Sequence, residues 1–215
     1  KSKGLAPGLV ENYWRQMDSD YFLRYDSASL AWHAETISKA SAADFPIVAT
    51  RYNPEIGGSE FLIYTPDREY LFVVQTGGFD RMNLSIMDAR IHTTGNGFAL
   101  NTFAVLDRSG EAVHDQATLK ELQQAMRRQL LNPRPGRDAR TAPVPRRMRH
   151  FPIDTKVSFS ASAGGQQTIM EVVAQDRPGL LYQVALALQA CKVNLVDRKS
   201  TRLNSSHLVI SYAVF

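Results

Sequence analysis

The feature that most constrains this 215-residue chain is a repeat. Asp67-Arg68 recurs 109 positions later as Asp176-Arg177, and at the same offset Leu71 meets Leu180, Phe79 meets Leu188, Leu84 meets Val193, Ile86 meets Leu195 and Asp88 meets Asp197. A strand slipped by one residue turns its core face to solvent, so a hydrophobic phase kept without gaps through a helix and a strand implies two copies of one supersecondary unit. The chain therefore reads as two tandem small α/β domains, which its length permits.

Within the first copy the order of elements follows from local pattern. Residues 5–43 read as helical, with Leu30, Ala34 and Ile37 at spacings of three and four behind Ser27 as N-cap. A β-rich run over 45–51 ends at Asn53-Pro54 and Gly57-Gly58, which mark a turn, and a strand follows over 61–64. Thr65-Pro66-Asp67 reads as a helix entry leading to Leu71, Phe72, Gln75 and Phe79, with Gly77-Gly78 expected to weaken the helix end. Two strands, carrying Leu84, Ile86, Ile91 and then Phe98, Leu100, Phe103, Val105, flank the hairpin composition Thr94-Gly95-Asn96-Gly97. Leu119, Leu122, Met126 and Leu130 then mark an amphipathic helix over 118–131.

This order needs one more strand for a split β-α-β sandwich, and the candidate is 155–160. Before it lies a linker over 132–150 with four prolines, six arginines and the single acid Asp138, a composition that opposes regular structure and extends the chain. The expected organisation is a helical lead-in at 1–50, a first domain at 58–131, the linker, and a second domain at 167–197. The match stops after Asp197, where Arg198-Lys199-Ser200 stand opposite Ala89-Arg90-Ile91. The tail at 198–215 holds three basic residues and no acid. It is expected to be non-native, a translated sequencing-adaptor read-through of the kind that ends metagenomic gene fragments, with a natural variant ending as the alternative. On that reading the second domain keeps one strand, its helix and the start of the next strand, too little to bury a full core by itself.

The run Asp176-Arg177-Pro178-Gly179-Leu180-Leu181, with Val193-Asn194-Leu195 opening the next strand, resembles the ACT domain, a regulatory module that binds amino acids. Longer strings at 64–68, 84–94, 102–107 and 147–152 resemble the C-terminal region of the bifunctional uridylyltransferase/uridylyl-removing family that modifies the PII nitrogen-signalling protein. Tyr21-Phe-Leu-Arg24 and Ala31-Trp-His33 fit the segment joining that family's hydrolase domain to its ACT pair, so the resemblance covers 10–197. It implies an α+β chain: a ferredoxin-like βαββαβ ACT domain and a truncated second one behind a helical lead-in. It also implies glutamine as effector and PII as a partner reached through catalytic domains outside this chain. The nucleotidyltransferase pattern of Gly-Ser with paired aspartates and the hydrolase His and Asp set are not found. No catalytic residue or cofactor is therefore expected here, the Mg or Mn of the parent family belonging to those domains. Asp18 and Asp20 form an Asp-x-Asp, read as a turn or helix cap.

The Asp-Arg-Pro-Gly turn suits an amino acid because free N–H groups at a helix start attract a carboxylate, glycine admits close approach, and an Asn side chain can bond an amide or amino group. Gly179 and Asn194 are the leading effector-binding candidates, with Asp176, Arg177, Pro178 and Leu180 shaping the loop. The alternative is a tight strand-to-helix turn and nothing more. In the first copy Glu69 and Tyr70 replace Pro178 and Gly179, and Ser85 replaces Asn194. Asp67, Arg68, Tyr70 and Ser85 are its candidates, with helix capping as the plain alternative for the first two. His92 lacks any partner at ligand-like spacing and reads as a structural strand residue.

Charge completes the reading. The net +4 reflects +5 in the linker and +3 in the tail, which leaves −4 for the rest. Arg146, Arg147 and Arg149 have no aromatic platform beside them, so no nucleic-acid partner is expected and an RNA-binding arm is a remote alternative. No apolar run reaches the roughly 18 residues of a membrane span, no signal peptide is evident, and Cys191 stands alone, so a cytoplasmic location without a membrane partner is expected. A second class of function, a dimerisation or docking module without ligand, stays open beside the sensor.

Overall fold

The computed structural model describes residues 7–134, 136, 155–161, 168–175, 177–193, 195–204 and 207–214. Asp176, Asn194 and most of the expected linker lie outside them. Strand β1 (Ile47–Asn53) turns into β2 (Gly58–Pro66) as an antiparallel hairpin, with Gly57 in the left-handed region at φ 61°. Helix α4 (Leu71–Arg81), strands β3 (Ser85–Thr93) and β4 (Phe98–Leu106), and helix α5 (Gln116–Leu131) follow. The antiparallel order β1-β2-β4-β3 is ferredoxin-like, with one exchange. The strand expected at 155–160 does not pair with the strands of the first copy but with β6 (Thr168–Gln175); β1, assigned by sequence to the lead-in, holds the place beside β2. Chain entropy explains the choice, because four turn residues close the β1–β2 hairpin whereas 155–160 follows a long linker.

The second copy follows the plan of the first from β1 to β4. Strands β5 (Lys156–Ala161) and β6 (Thr168–Gln175), helix α6 (Leu180–Ala190), and strands β7 (Leu195–Asn204) and β8 (His207–Val214) are the first copy displaced by 109, within two residues at each end. Here the expected loss of the hairpin after 197 is corrected, because β7 and β8 pair over the stretch that shows no residue-by-residue match, while the second copy stays truncated in holding no counterpart of α5 among the described residues. A ladder is made by backbone groups and asks for a proline-free, β-compatible run, not for matching side chains. Strand β7 also pairs antiparallel with β3, from Asp88↔Thr201 to Ile91↔Arg198. One eight-stranded sheet results, ordered β1-β2-β4-β3-β7-β8-β6-β5, with α4 packed against α6. Phe61, Phe79 and Phe103 of the first copy and Met170, Leu181 and Leu188 of the second belong to one continuous core.

The lead-in covers the other face of the first copy's sheet. Helices α1 (Pro7–Trp14), α2 (Ser19–Arg24) and α3 (Ser27–Ser38) bring Tyr13, Tyr21, Tyr25 and Ala34 onto Ile47, Leu62, Tyr64 and Leu100. Phe61 and Ile63 alternate with these and point into the core beneath α4 and α5. Burial on both faces is why the middle of β2, Phe61-Leu62-Ile63-Tyr64, is an unbroken apolar run. Asp18 caps α2, its Oδ1 accepting from the Tyr21 N–H at 2.8 Å, as a cap reading of Asp-x-Asp expects. Asp26 does the same for α3, accepting from the Ser29 N–H at 2.7 Å.

Polar groups lock this layer down. The Tyr13 and Tyr21 hydroxyls are 2.8 Å apart, Tyr21 Oη lies 2.9 Å from His33 Nδ1, and Tyr25 Oη lies 2.9 Å from Thr102 Oγ1 on β4. Arg51 donates to Glu60 beside it and to Ser29 Oγ on α3, and its guanidinium lies 4.1 Å from the Trp32 ring centre. His92 packs against the Tyr21 and Tyr25 rings, a structural strand residue.

Candidate functional site

Both copies pass from strand to helix through the same loop. Tyr70 (φ 60°) and Gly179 (φ 75°) take the left-handed conformation just before α4 and α6. Leu71 N donates to Arg68 O at 3.2 Å and Leu180 N to Arg177 O at 3.1 Å, so Glu69-Tyr70 builds the turn that Pro178-Gly179 builds in the second copy. The helices also end alike. Asn83 and Lys192 are left-handed, and Leu84 N and Val193 N reach back to Phe79 O and Leu188 O, each at 3.0 Å, in Schellman closures.

Because α4 and α6 lie side by side, the loop of each copy faces the helix end of the other, and two clefts form. The wider, about 410 Å³, runs between Asp67, Arg68 and Tyr70 on one side and Ala185, Leu188, Gln189 and Val193 on the other, with Thr93, Ala99 and Asn101 also lining it. The narrower, about 20 Å³, runs between Arg177, Gly179 and Leu180 and the residues Thr76, Asp80, Leu84 and Ser85. Ala185, Gln189 and Val193 are Thr76, Asp80 and Leu84 displaced by 109, so the clefts are two versions of one composite site.

The candidate residues are thereby re-sorted. Sequence register groups Gly179 with Asn194, and Tyr70 with Ser85, inside single copies. The structure sets Ser85 with Arg177, Gly179 and Leu180, and sets Asp67, Arg68 and Tyr70 opposite Val193, the chain neighbour of Asn194. Asp176 and Asn194 themselves lie outside the described residues. Leu180 is buried in the core and holds α6 down, while Pro178 is exposed. Arg68 Nη2 donates to the Leu130 carbonyl at 2.7 Å, satisfying a free acceptor at the end of α5, which is a capping role on a different helix from the one expected. Asp67 Oδ2 accepts from Thr93 Oγ1 at 3.3 Å, and Arg177 donates to Gln183 Oε1.

The sequence reading missed Asn101. Its Nδ2 donates to Gln75 Oε1 at 2.8 Å, both residues are buried, and Asn101 Oδ1 and Gln75 Nε2 have no hydrogen-bond partner. The signal lay in the repeat itself, since the corresponding residues are the apolar Val184 and Ile210.

Known proteins sharing this sequence decide the family. A family model described as "Uridylyltransferase GlnD fifth domain" matches residues 1–36, which include α1, α2 and most of α3. The bifunctional uridylyltransferase/uridylyl-removing enzyme of Photobacterium profundum is 33% identical over 205 residues, 94% of this chain and 23% of that protein. Those of Aromatoleum aromaticum and Bordetella pertussis are 34% identical over 185 residues (86% and 21%) and 38% over 205 (91% and 23%). The chain belongs to the uridylyltransferase/uridylyl-removing family. It represents that family's C-terminal region and spans less than a quarter of the length of these relatives. No solved structure gives a significant match. In this member of the family, no described helix is long and apolar enough to cross a membrane, and no three His, Cys, Asp or Glu side chains among the described residues gather where they could hold a metal ion.

Proposed function

We propose that this chain is the regulatory region of a uridylyltransferase/uridylyl-removing enzyme and that glutamine binds in the wider of the two clefts between its ACT repeats. The carrying observation is the wider composite cleft, about 410 Å³, built from the strand-to-helix loop of the first copy and the helix end of the second. A loop opening a helix offers backbone N–H groups to an α-carboxylate, and the facing element comes from the other copy, so a ligand there bridges both. Bridging is what a sensor requires. An effector shifts an equilibrium only by its difference in affinity between two arrangements, and a ligand touching both repeats reads how they are arranged. Glutamine binding would favour the arrangement in which the whole enzyme removes uridylyl groups from PII over the one in which it adds them.

Calorimetric titration of the 215-residue chain with glutamine at millimolar concentration is expected to give saturable heat. A folded chain that takes up no amino acid would overturn the reading.

A further inference from the structure

The buried amide pair under the wider cleft is not needed by the fold. At the same two register positions the sequence of the second copy has Val184, which packs against the shared core, and Ile210, so the repeat does not require amides there. Gln75 and Asn101 are 0% and 2% exposed, and they meet only half of each other's capacity, leaving Asn101 Oδ1 and Gln75 Nε2 unpartnered. Burying amides with unmet capacity costs stability that an apolar pair avoids, so their presence calls for a reason outside folding. The cleft supplies one: Asn101 lines it together with Asp67, Tyr70 and Gln189.

We infer that Asn101, held in orientation by Gln75, is the specificity-determining residue of the wider cleft and recognises a neutral, hydrogen-bond-donating carboxamide on the effector. An Asn101 Oδ1 with no partner accepts an N–H from a carboxamide. A carboxylate of the same shape brings only acceptors and meets that oxygen with repulsion, so glutamate is rejected by an unpaired polar group and not by size. This inference rests on the proposed sensor function.

The test titrates the whole chain with L-glutamine and L-glutamate. Gln75→Val/Asn101→Ile copies the second repeat and removes both amides together, so neither is left stranded; circular dichroism checks its fold, and Asn101→Ile alone is the companion variant. The expected result is at least tenfold weaker glutamine binding, with the preference over glutamate abolished. Unchanged affinity and unchanged preference in the folded double variant would overturn the role of Asn101 and leave the sensor function standing. No binding of either amino acid by the unsubstituted chain would overturn both.

Discussion

At single residues, the two copies solve one backbone problem with different side chains. Asn83 and Lys192 both close a helix in the left-handed region, at φ 57° and 56°. Asn tolerates that region through local hydrogen bonding, whereas Lys pays the full steric cost of its Cβ. Lys192 is exposed. Lys192→Gly is therefore expected to raise stability by about 0.5–1 kcal/mol, read as a higher urea midpoint at unchanged slope. His33 carries an acid sensitivity. Burial, reinforced by the positive charges of Arg51 and Arg90 and by His92 and opposed by Asp26, pushes its imidazole down to about 3. Its Nε2 has no partner, so a proton there would be a buried donor without an acceptor. An unfolded histidine takes up a proton near pH 6.5, so between that value and 3 the unfolded chain holds the extra proton. Stability from this residue is therefore complete above about pH 6.5 and drains as pH falls, by at most about 1.4 kcal/mol per unit. Melting temperatures from pH 7.5 to 4.5 should show a steeper acid limb in the unsubstituted chain than in His33→Gln.

At the scale of elements, the glycine pair in α4 shows where sequence reading succeeds and where it stops. Gly77-Gly78 suggests a weak helix end, yet α4 runs through both to Arg81. The reason is approach: a Cβ on Gly77 would lie 2.9 Å from the Tyr182 ring of α6, and one on Gly78 would lie 3.0 Å from Gln129 Cγ of α5. Gly77→Val is expected to cost about 1–3 kcal/mol by overpacking the contact between the two copies, seen as a lower urea midpoint. The helix itself was legible, because Leu71, Phe72, Gln75 and Phe79 keep a helical period; the neighbour that makes glycine necessary lies 105 residues away and leaves no local trace. Strand β1 was misplaced for a related reason. Its Ile47-Val48 pattern is as β-like as Val157-Ser158-Phe159, and only the short turn before β2 distinguishes a partner from a competitor. The candidate site was legible as loops, since Asp-Arg and Gly179 repeat or depart at a fixed offset. Its partners were not, because an offset says that two copies exist and not that each faces the other.

For the whole molecule, the question is whether lead-in, first copy and second copy unfold together. The β3–β7 ladder, the α4–α6 contact and one shared apolar core tie the copies, while Tyr25 to Thr102 and Arg51 to Ser29 tie the lead-in to the sheet. Against this, Val157 and Phe159 on β5 are exposed at 51% and 67%, while Val48, the first-copy equivalent of Val157, is buried at 5%. Among the described side chains β5 is thus less buried than its first-copy equivalent, and the second copy's buried residues share one core with the first, which favours a single cooperative unit over two that melt in turn. The chain supplies separate reporters. Both tryptophans, Trp14 and Trp32, sit in the lead-in, and the only cysteine, Cys191, is exposed at the end of α6 and accepts a single fluorescent label. Urea unfolding followed by tryptophan emission and by the Cys191 label is expected to give coincident midpoints. Gly77→Val, which loosens the α4–α6 contact, should separate them by lowering the label's midpoint first. Midpoints already apart in the unsubstituted chain would mean that the ladder and the helix contact do not couple the copies, and a ligand bridging the clefts would then act by bringing two independent units together.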